Sequence, residues 1–134
     1  HLDAKNISKY FINQKYQVDT IIHSSAVRTT QTAKYLFEHL THKKSLKIFS
    51  DKLLYLTEVS HVIKILNTYL KDYNSIVYVG HNPTITSFVN YISDANIDHI
   101  PSAGLAVIDI DKKILSESCG KLVDFVYPKK LNIL

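Results

Sequence analysis

Hydrophobic positions along the chain change their period several times, and each change marks an element. Ala4, Ile7 and Phe11 recur at helical spacing, and Val18 to His23 is rich in β-branched residues, as a strand requires. Ala33, Leu36, Phe37 and Leu40 stand at i, i+3, i+4 and i+7, which predicts a helix over 27–40. Leu46 to Phe49 reads as a short strand. Val59, Val62, Ile63, Leu66 and Leu70 read as a strongly amphipathic helix. Ser75 to Val79 has the pattern of a buried strand ended by Gly80, and Ile85, Phe88, Val89 and Ile92 mark another helix. Leu105 to Ile110 and Leu122 to Tyr127 close the chain as two strands with no helix between them, joined through Asp111–Lys112–Lys113 and a further loop.

Strands alternating with helices of this length predict an α/β fold with a mostly parallel sheet. The final helix-free pair predicts that the sheet is mixed at one edge. The expected architecture is a single three-layer α/β/α domain. Ligands in such sheets bind beyond the carboxyl ends of the strands, so the strand-to-helix junctions are where chemistry is expected.

Composition narrows the classes. A chain of 134 residues with 46% hydrophobic and 21% charged residues is one domain's worth of globular sequence. No apolar run approaches the roughly 20 residues of a membrane helix. One cysteine, Cys119, excludes a disulfide framework within the chain and a cysteine-based zinc site. The net charge of +4 is too small an excess to argue for nucleic acid, and the pairs Lys43–Lys44, Lys112–Lys113 and Lys129–Lys130 read as solvated loop charges. Within that balance one residue stands apart. Fifteen of the 16 basic residues are lysine, and the exception is Arg28.

Two junctions carry candidate chemistry. Ile22-His23-Ser24-Ser25-Ala26-Val27-Arg28 follows a predicted strand and opens a helix, with Ser24 or Ser25 as the expected cap. A helix N-terminus offers free N–H groups and a positive dipole, which suit a phosphate. An arginine in that first turn opposes the dipole unless an anion stands before it, and its fork can grip one with two parallel bonds. Val79-Gly80-His81-Asn82-Pro83-Thr84 is the second junction, where His81 leaves the sheet's carboxyl edge and Pro83 is suited to the first helical turn. Together the two predict one anion site, for a phosphoryl group.

Gly80-His81-Asn82-Pro83 and Ser24-Ser25-x-x-Arg28-x-x-Gln31-Thr32-Ala33 resemble the histidine phosphatase superfamily, and most nearly its small SixA-type phosphohistidine phosphatases. Ile100-Pro101-Ser102-Ala103-Gly104-Leu105-Ala106-Val107 and Leu54-Tyr55 resemble that branch as well, in the expected order, so that the likeness spans nearly all of 1–134. It implies a phosphoglycerate mutase-like fold and a phosphatase that works through a phosphohistidine intermediate. In that scheme Arg28 and His81 are catalytic, and Arg28, Ser24, Ser25, His81 and Asn82 bind substrate. No metal or other cofactor is implied. The implied partner is a protein bearing phosphohistidine, or a small phosphoester, in a cytoplasmic setting. A chain this small leaves little room for a large lid, which fits a bulky, protein-borne substrate.

This sequence departs from the family pattern in three places. The family's Arg-His-Gly or Arg-His-Ala motif, which carries the nucleophile, is not found here, and the resemblance expects it on a strand upstream of His1. His23 lies on a strand with no glycine after it and reads as a core or edge histidine. Ser25 stands where many members have proline, and Glu58, the nearest candidate for a general acid, reads as a helix-start residue. His39 and His42 read as a solvent-facing pair. The reading set against the enzyme is a phosphate-binding or interaction protein of the same fold without a nucleophile. A third is an unrelated α/β domain.

Overall fold

The computed structural model describes residues 2–40 and 45–132. His1, His42, Lys43 and Lys44 lie outside the described residues. The elements follow the periodicity closely: α1 (Leu2–Asn13), β1 (Thr20–His23), α2 (Val27–His39), β2 (Lys47–Ser50), α3 (Val59–Leu70), β3 (Ile76–Val79), α4 (Thr84–Ile92), β4 (Leu105–Ile110), β5 (Gly120–Val126) and α5 (Pro128–Leu131). The short α5 and a 3₁₀ turn at Lys52–Leu54 carry no periodic signal in the sequence.

Three strands form a parallel sheet in the order β2-β1-β3, with Thr20 to His23 in register with Lys47 to Ser50 on one side and Ile76 to Val79 on the other. Strand alternation then divides the core. Ile21 points to one face, into a cluster with Phe11, Val18, Ala33, Leu36 and Leu40 beneath α1 and α2. Its neighbour Ile22 points to the other, among Leu54, Val62, Leu66, Leu70, Phe88, Val89 and Ile92 beneath α3 and α4. The result is the expected three-layer α/β/α arrangement. Each fully buried isoleucine contributes roughly 1.5–3 kcal/mol, so β1 is the axis of the fold. No helix among the described residues is long and apolar enough to cross a membrane.

The antiparallel pair expected at one edge is present, but it forms its own ladder. β4 and β5 pair with each other, with an irregularity between Val107 and Ile108, and they belong to a separate two-stranded sheet. Leu105 nevertheless packs on the same cluster as Val77 and Val79, while Ala106, Ile108 and Ile110 pack on the same cluster as Ile76 and Tyr78. The hairpin thus straddles both cores as β3 does, without a hydrogen-bonded ladder between them. Among the described residues no strand pairs with the outer edge of β3 or of β4, and all four residues of β3 are only half-buried, whereas all four of β1 are buried.

Candidate active site

The two candidate junctions leave the sheet side by side. β1 and β3 are neighbouring parallel strands, His23 is in register with Val79, and the Ser24 N–H donates to the Val79 carbonyl at 3.2 Å. Arg28 and His81 therefore leave the same carboxyl edge, five and two residues beyond that shared position.

The first junction is closed by its own hydroxyls. Ser24 is fully buried, and the cap expected of it is absent: Ala26 is the N-cap of α2, with no side-chain cap bond. The reason is a competing partner. The single Thr29 proton is shared between the Ser24 and Ala26 carbonyls, at 2.8 and 3.0 Å, so the Ser24 hydroxyl must donate to Thr29 Oγ1, at 2.8 Å. Ser25 and Arg28 are exposed. With no side-chain cap and no acidic residue in its first turn, the positive end of α2 meets no compensating group from its own element.

The second junction is shaped by a close approach. Gly80 does not have a positive φ; it is required for space, because a Cβ there would lie 2.5 Å from the Tyr78 hydroxyl oxygen and 2.7 Å from Cζ. Burial pushes the Tyr78 hydroxyl up to about 12, and its ring stands edge-on to Phe88 at 5.5 Å. Pro83, joined to Asn82 by a cis peptide, is the N-cap of α4 rather than its first helical residue, and again there is no side-chain cap bond and no acid in the first turn.

His81 lies between these features. Its ring is half-buried, and Nε2 is sealed from solvent with no hydrogen-bond partner, alone in this respect among the described residues. A buried polar atom left unpaired costs about 1–3 kcal/mol, so such an atom usually marks a missing partner. The Tyr55 ring meets the His81 ring edge-on, at 5.4 Å and 84°. Tyr55 arrives on the loop after β2, which is tied down by Asp51 N–H donating to the His23 carbonyl at 2.9 Å and by Thr84 Oγ1 donating to the Thr57 carbonyl at 2.6 Å. The contact of Tyr55 with His81 joins residues 26 positions apart and leaves no local signal in the sequence.

The remaining candidates fall elsewhere. Asn82 is half-buried with its carboxamide engaged in internal bonds. His23 is buried at the end of β1, and its Nδ1 donates to the Ser24 carbonyl. Glu58 is the N-cap of α3 without a side-chain cap bond. His39 is exposed, donates to the Tyr35 carbonyl and stacks on the Tyr35 ring at 4.0 Å. Among the described residues, no three His, Cys, Asp or Glu side chains come together as a metal would need.

No family model matches the chain, and no curated protein matches it. Solved structures do. A SixA protein from Agrobacterium tumefaciens superposes with a TM-score of 0.75 at 23% identity, over 95% of this chain and 79% of that one. A SixA protein from Nakamurella multipartitia gives 0.75 at 18% identity, over 94% and 80%. The protein histidine phosphatase SixA complexed with tungstate gives 0.75 at 16% identity, over 96% and 81%. The chain therefore has the fold of these SixA structures, and about a fifth of each neighbour's length has no counterpart in it.

Proposed function

We propose that this chain forms the greater part of a phosphohistidine phosphatase, acting on a phosphoryl group carried by a protein or on a related phosphomonoester. The observation that carries the reading is the buried, unpartnered Nε2 of His81, at the sheet edge from which α2 and α4 start without side-chain caps. A tetrahedral oxyanion supplies what each lacks, since it accepts from imidazole N–H, from guanidinium and from backbone N–H groups. Tungstate, the oxyanion bound by one structural neighbour, has that shape.

In this scheme the Arg28 guanidinium holds two equatorial oxygens of the phosphoryl group, and His81 Nε2 donates to the third. Ser25 and the first N–H groups of α2 and α4 complete the cradle. The attacking imidazole belongs to the Arg-His-Gly or Arg-His-Ala segment expected upstream of His1. Its ring nitrogen bonds to phosphorus as the bond to the substrate's imidazole breaks, and the departing ring nitrogen takes a proton from solvent. Water then breaks the new phosphorus–nitrogen bond, releasing phosphate and restoring the free histidine. A leaving imidazole needs little help from a strong acid, so Glu58 has no necessary part.

The open edges of β3 and β4 support a seat for that upstream strand. Neighbouring strands lie about 4.8 Å apart, and one extended segment between β3 and β4 would saturate both edges and cover the half-buried face of β3. Whichever way it ran, one of its ends would reach the edge where His81 stands.

The test has two arms. This chain, titrated with orthophosphate or tungstate, is expected to bind, and Arg28→Lys or His81→Gln is expected to weaken binding about tenfold or more. Binding that both substitutions leave untouched would remove the site. A version including the upstream segment is then assayed for hydrolysis of a phosphohistidine peptide. Binding without turnover there would favour the non-catalytic phosphate-binding protein.

A further inference from the structure

The Asn82 carboxamide takes part in a closed hydrogen-bond ring. Its Nδ2 donates to the Ile100 carbonyl at 2.7 Å, and its Oδ1 accepts from the Thr86 hydroxyl. Thr86 Oγ1 in turn accepts from the Ile100 N–H at 3.0 Å. The three bonds satisfy both peptide groups of Ile100, and Thr86 and Ile100 are both buried. The orientation is unambiguous. The Thr86 hydroxyl has one proton and gives it to Oδ1, so the amide nitrogen must face the carbonyl.

What the ring holds is a rigid anchor. Ala103 has a left-handed backbone at φ 62°, and the Gly104 N–H donates to the Pro101 carbonyl at 2.9 Å. A Cβ on Gly104 would stand 2.5 Å from Ile100 Cγ2 and 2.8 Å from that carbonyl oxygen, so the turn before β4 has no slack. β3 and β4 share no ladder, and the ring is what joins the β3–α4 turn to the lead into β4. The opposite flank of the same turn is held by Thr84 on the Thr57 carbonyl.

We propose that Asn82 and Thr86 are positioning residues. Their ring with Ile100 sets the place of the His81 imidazole and of the first N–H groups of α4, and Asn82 does not itself contact the phosphoryl group. The proposal rests on the anion site assigned above and replaces the expected role of Asn82 in binding with one exerted through His81.

The experiment uses this chain, labelled with nitrogen-15, observed by NMR and titrated with tungstate. Thr86→Val keeps the shape of the side chain and removes two of the three bonds; Thr86→Ser keeps the hydroxyl. The valine variant is expected to shift the ligand-free His81 ring signals and to weaken tungstate about tenfold, as a displaced group does. The serine variant is expected to restore both. In the unsubstituted chain, tungstate should move the His81 ring and Arg28 guanidinium signals and leave the Asn82 carboxamide signals nearly still.

A folded Thr86→Val with unchanged His81 signals and affinity would overturn the proposal, as would Asn82 signals that move as far as those of His81. Should the valine variant fail to fold, the Asn82 signals of the unsubstituted chain decide. If that chain ignores tungstate altogether, the anion site falls, and the ligand-free His81 signals in the two Thr86 variants still judge the ring.

Discussion

The two junctions at the head of the sheet are built to one plan and differ in reach. Each has a buried threonine as the third residue of its helix, Thr29 in α2 and Thr86 in α4, and each threonine hydroxyl secures the preceding turn. Thr29 bonds only within its own junction, to Ser24 and Ala26. Thr86 bonds back to Asn82 and also out to Ile100, fourteen residues on. In its side-chain bonds the first junction is therefore self-contained, and beyond them the turn that carries the exposed Arg28 is joined to the sheet through backbone bonds at Ser24 and His23. The second takes its geometry partly from the segment leading into β4, so changes in the hairpin reach His81 while leaving Arg28 in place.

The largest expected effect falls on the self-contained side. In a protein that includes the expected upstream segment, Arg28→Lys should lose about 3 kcal/mol of transition-state stabilisation, or on the order of 10²-fold in phosphohistidine hydrolysis. The melting temperature should stay put, because Arg28 is exposed. Near-normal turnover would reduce Arg28 to a surface charge and leave the anion to the second junction alone.

On the other side, Gly80→Ala drives a methyl into the Tyr78 ring and should cost about 2 kcal/mol of stability, read by thermal or urea unfolding. An unchanged melt would mean that the ring swings aside freely and that this junction is looser than its packing implies.

Alkali separates the junctions by chemistry. Tyr78 has no counterpart in the first turn, and its folded hydroxyl is raised by burial from 10.0 to about 12. A raised acid favours the folded state while it is neutral. That contribution is complete below pH 10 and is lost between pH 10 and about 12 as the unfolded chain ionises first. After allowance for the part of the ring that solvent reaches, it is on the order of 1–2 kcal/mol. Tyr78→Phe should flatten that stretch of the stability curve, and a slope that survives the substitution would assign the effect elsewhere.

The smallest effect sharpens the likeness between the turns. Thr29→Val should cost about 1 kcal/mol of stability, with Thr29→Ser recovering most of it. The His81 ring signals should not move in either variant. If they do, the hydroxyl bonds of the first junction reach His81 through the backbone bond between Ser24 and Val79.

What was legible in the sequence was whatever depends on neighbours close along the chain. Ile21 and Ile22 alternate, Leu66 and Leu70 sit a turn apart, and such patterns declare strands and helices unaided. That Arg28 and His81 leave the same edge of the sheet was legible because each follows a recognisable strand, five and two residues beyond its end. Side-chain partners were not. Ser24 reads as a cap from its position, yet the fold offers it Thr29 within a buried turn, and that bond is taken instead. Gly80 reads as a strand terminator, and only the path of the Tyr78 ring reveals that space is what it provides. Asn82 and Ile100, like Tyr55 and His81, meet through tertiary packing, to which local spacing is blind. The same holds for the hairpin. Antiparallel pairing followed from the absence of a helix between two strands, but whether β4 would join β3 depends on register and distance across the core.

The strands with a free side differ in how they meet other molecules. β2 begins with the exposed Lys47, and β4 carries the irregularity at Val107 and Ile108, two features that discourage a further strand from adding on. β3 is Ile-Val-Tyr-Val, without charge or bulge, and among the described residues no strand pairs with its outer edge, which is a template for an extended segment such as the one proposed upstream. At low concentration water occupies the peptide groups there; at high concentration another molecule competes for them. Where no segment covers it, that edge is a route to self-association. Supplying the proposed upstream segment should suppress the rise in light scattering with concentration, and a rise that persists would assign association to another surface.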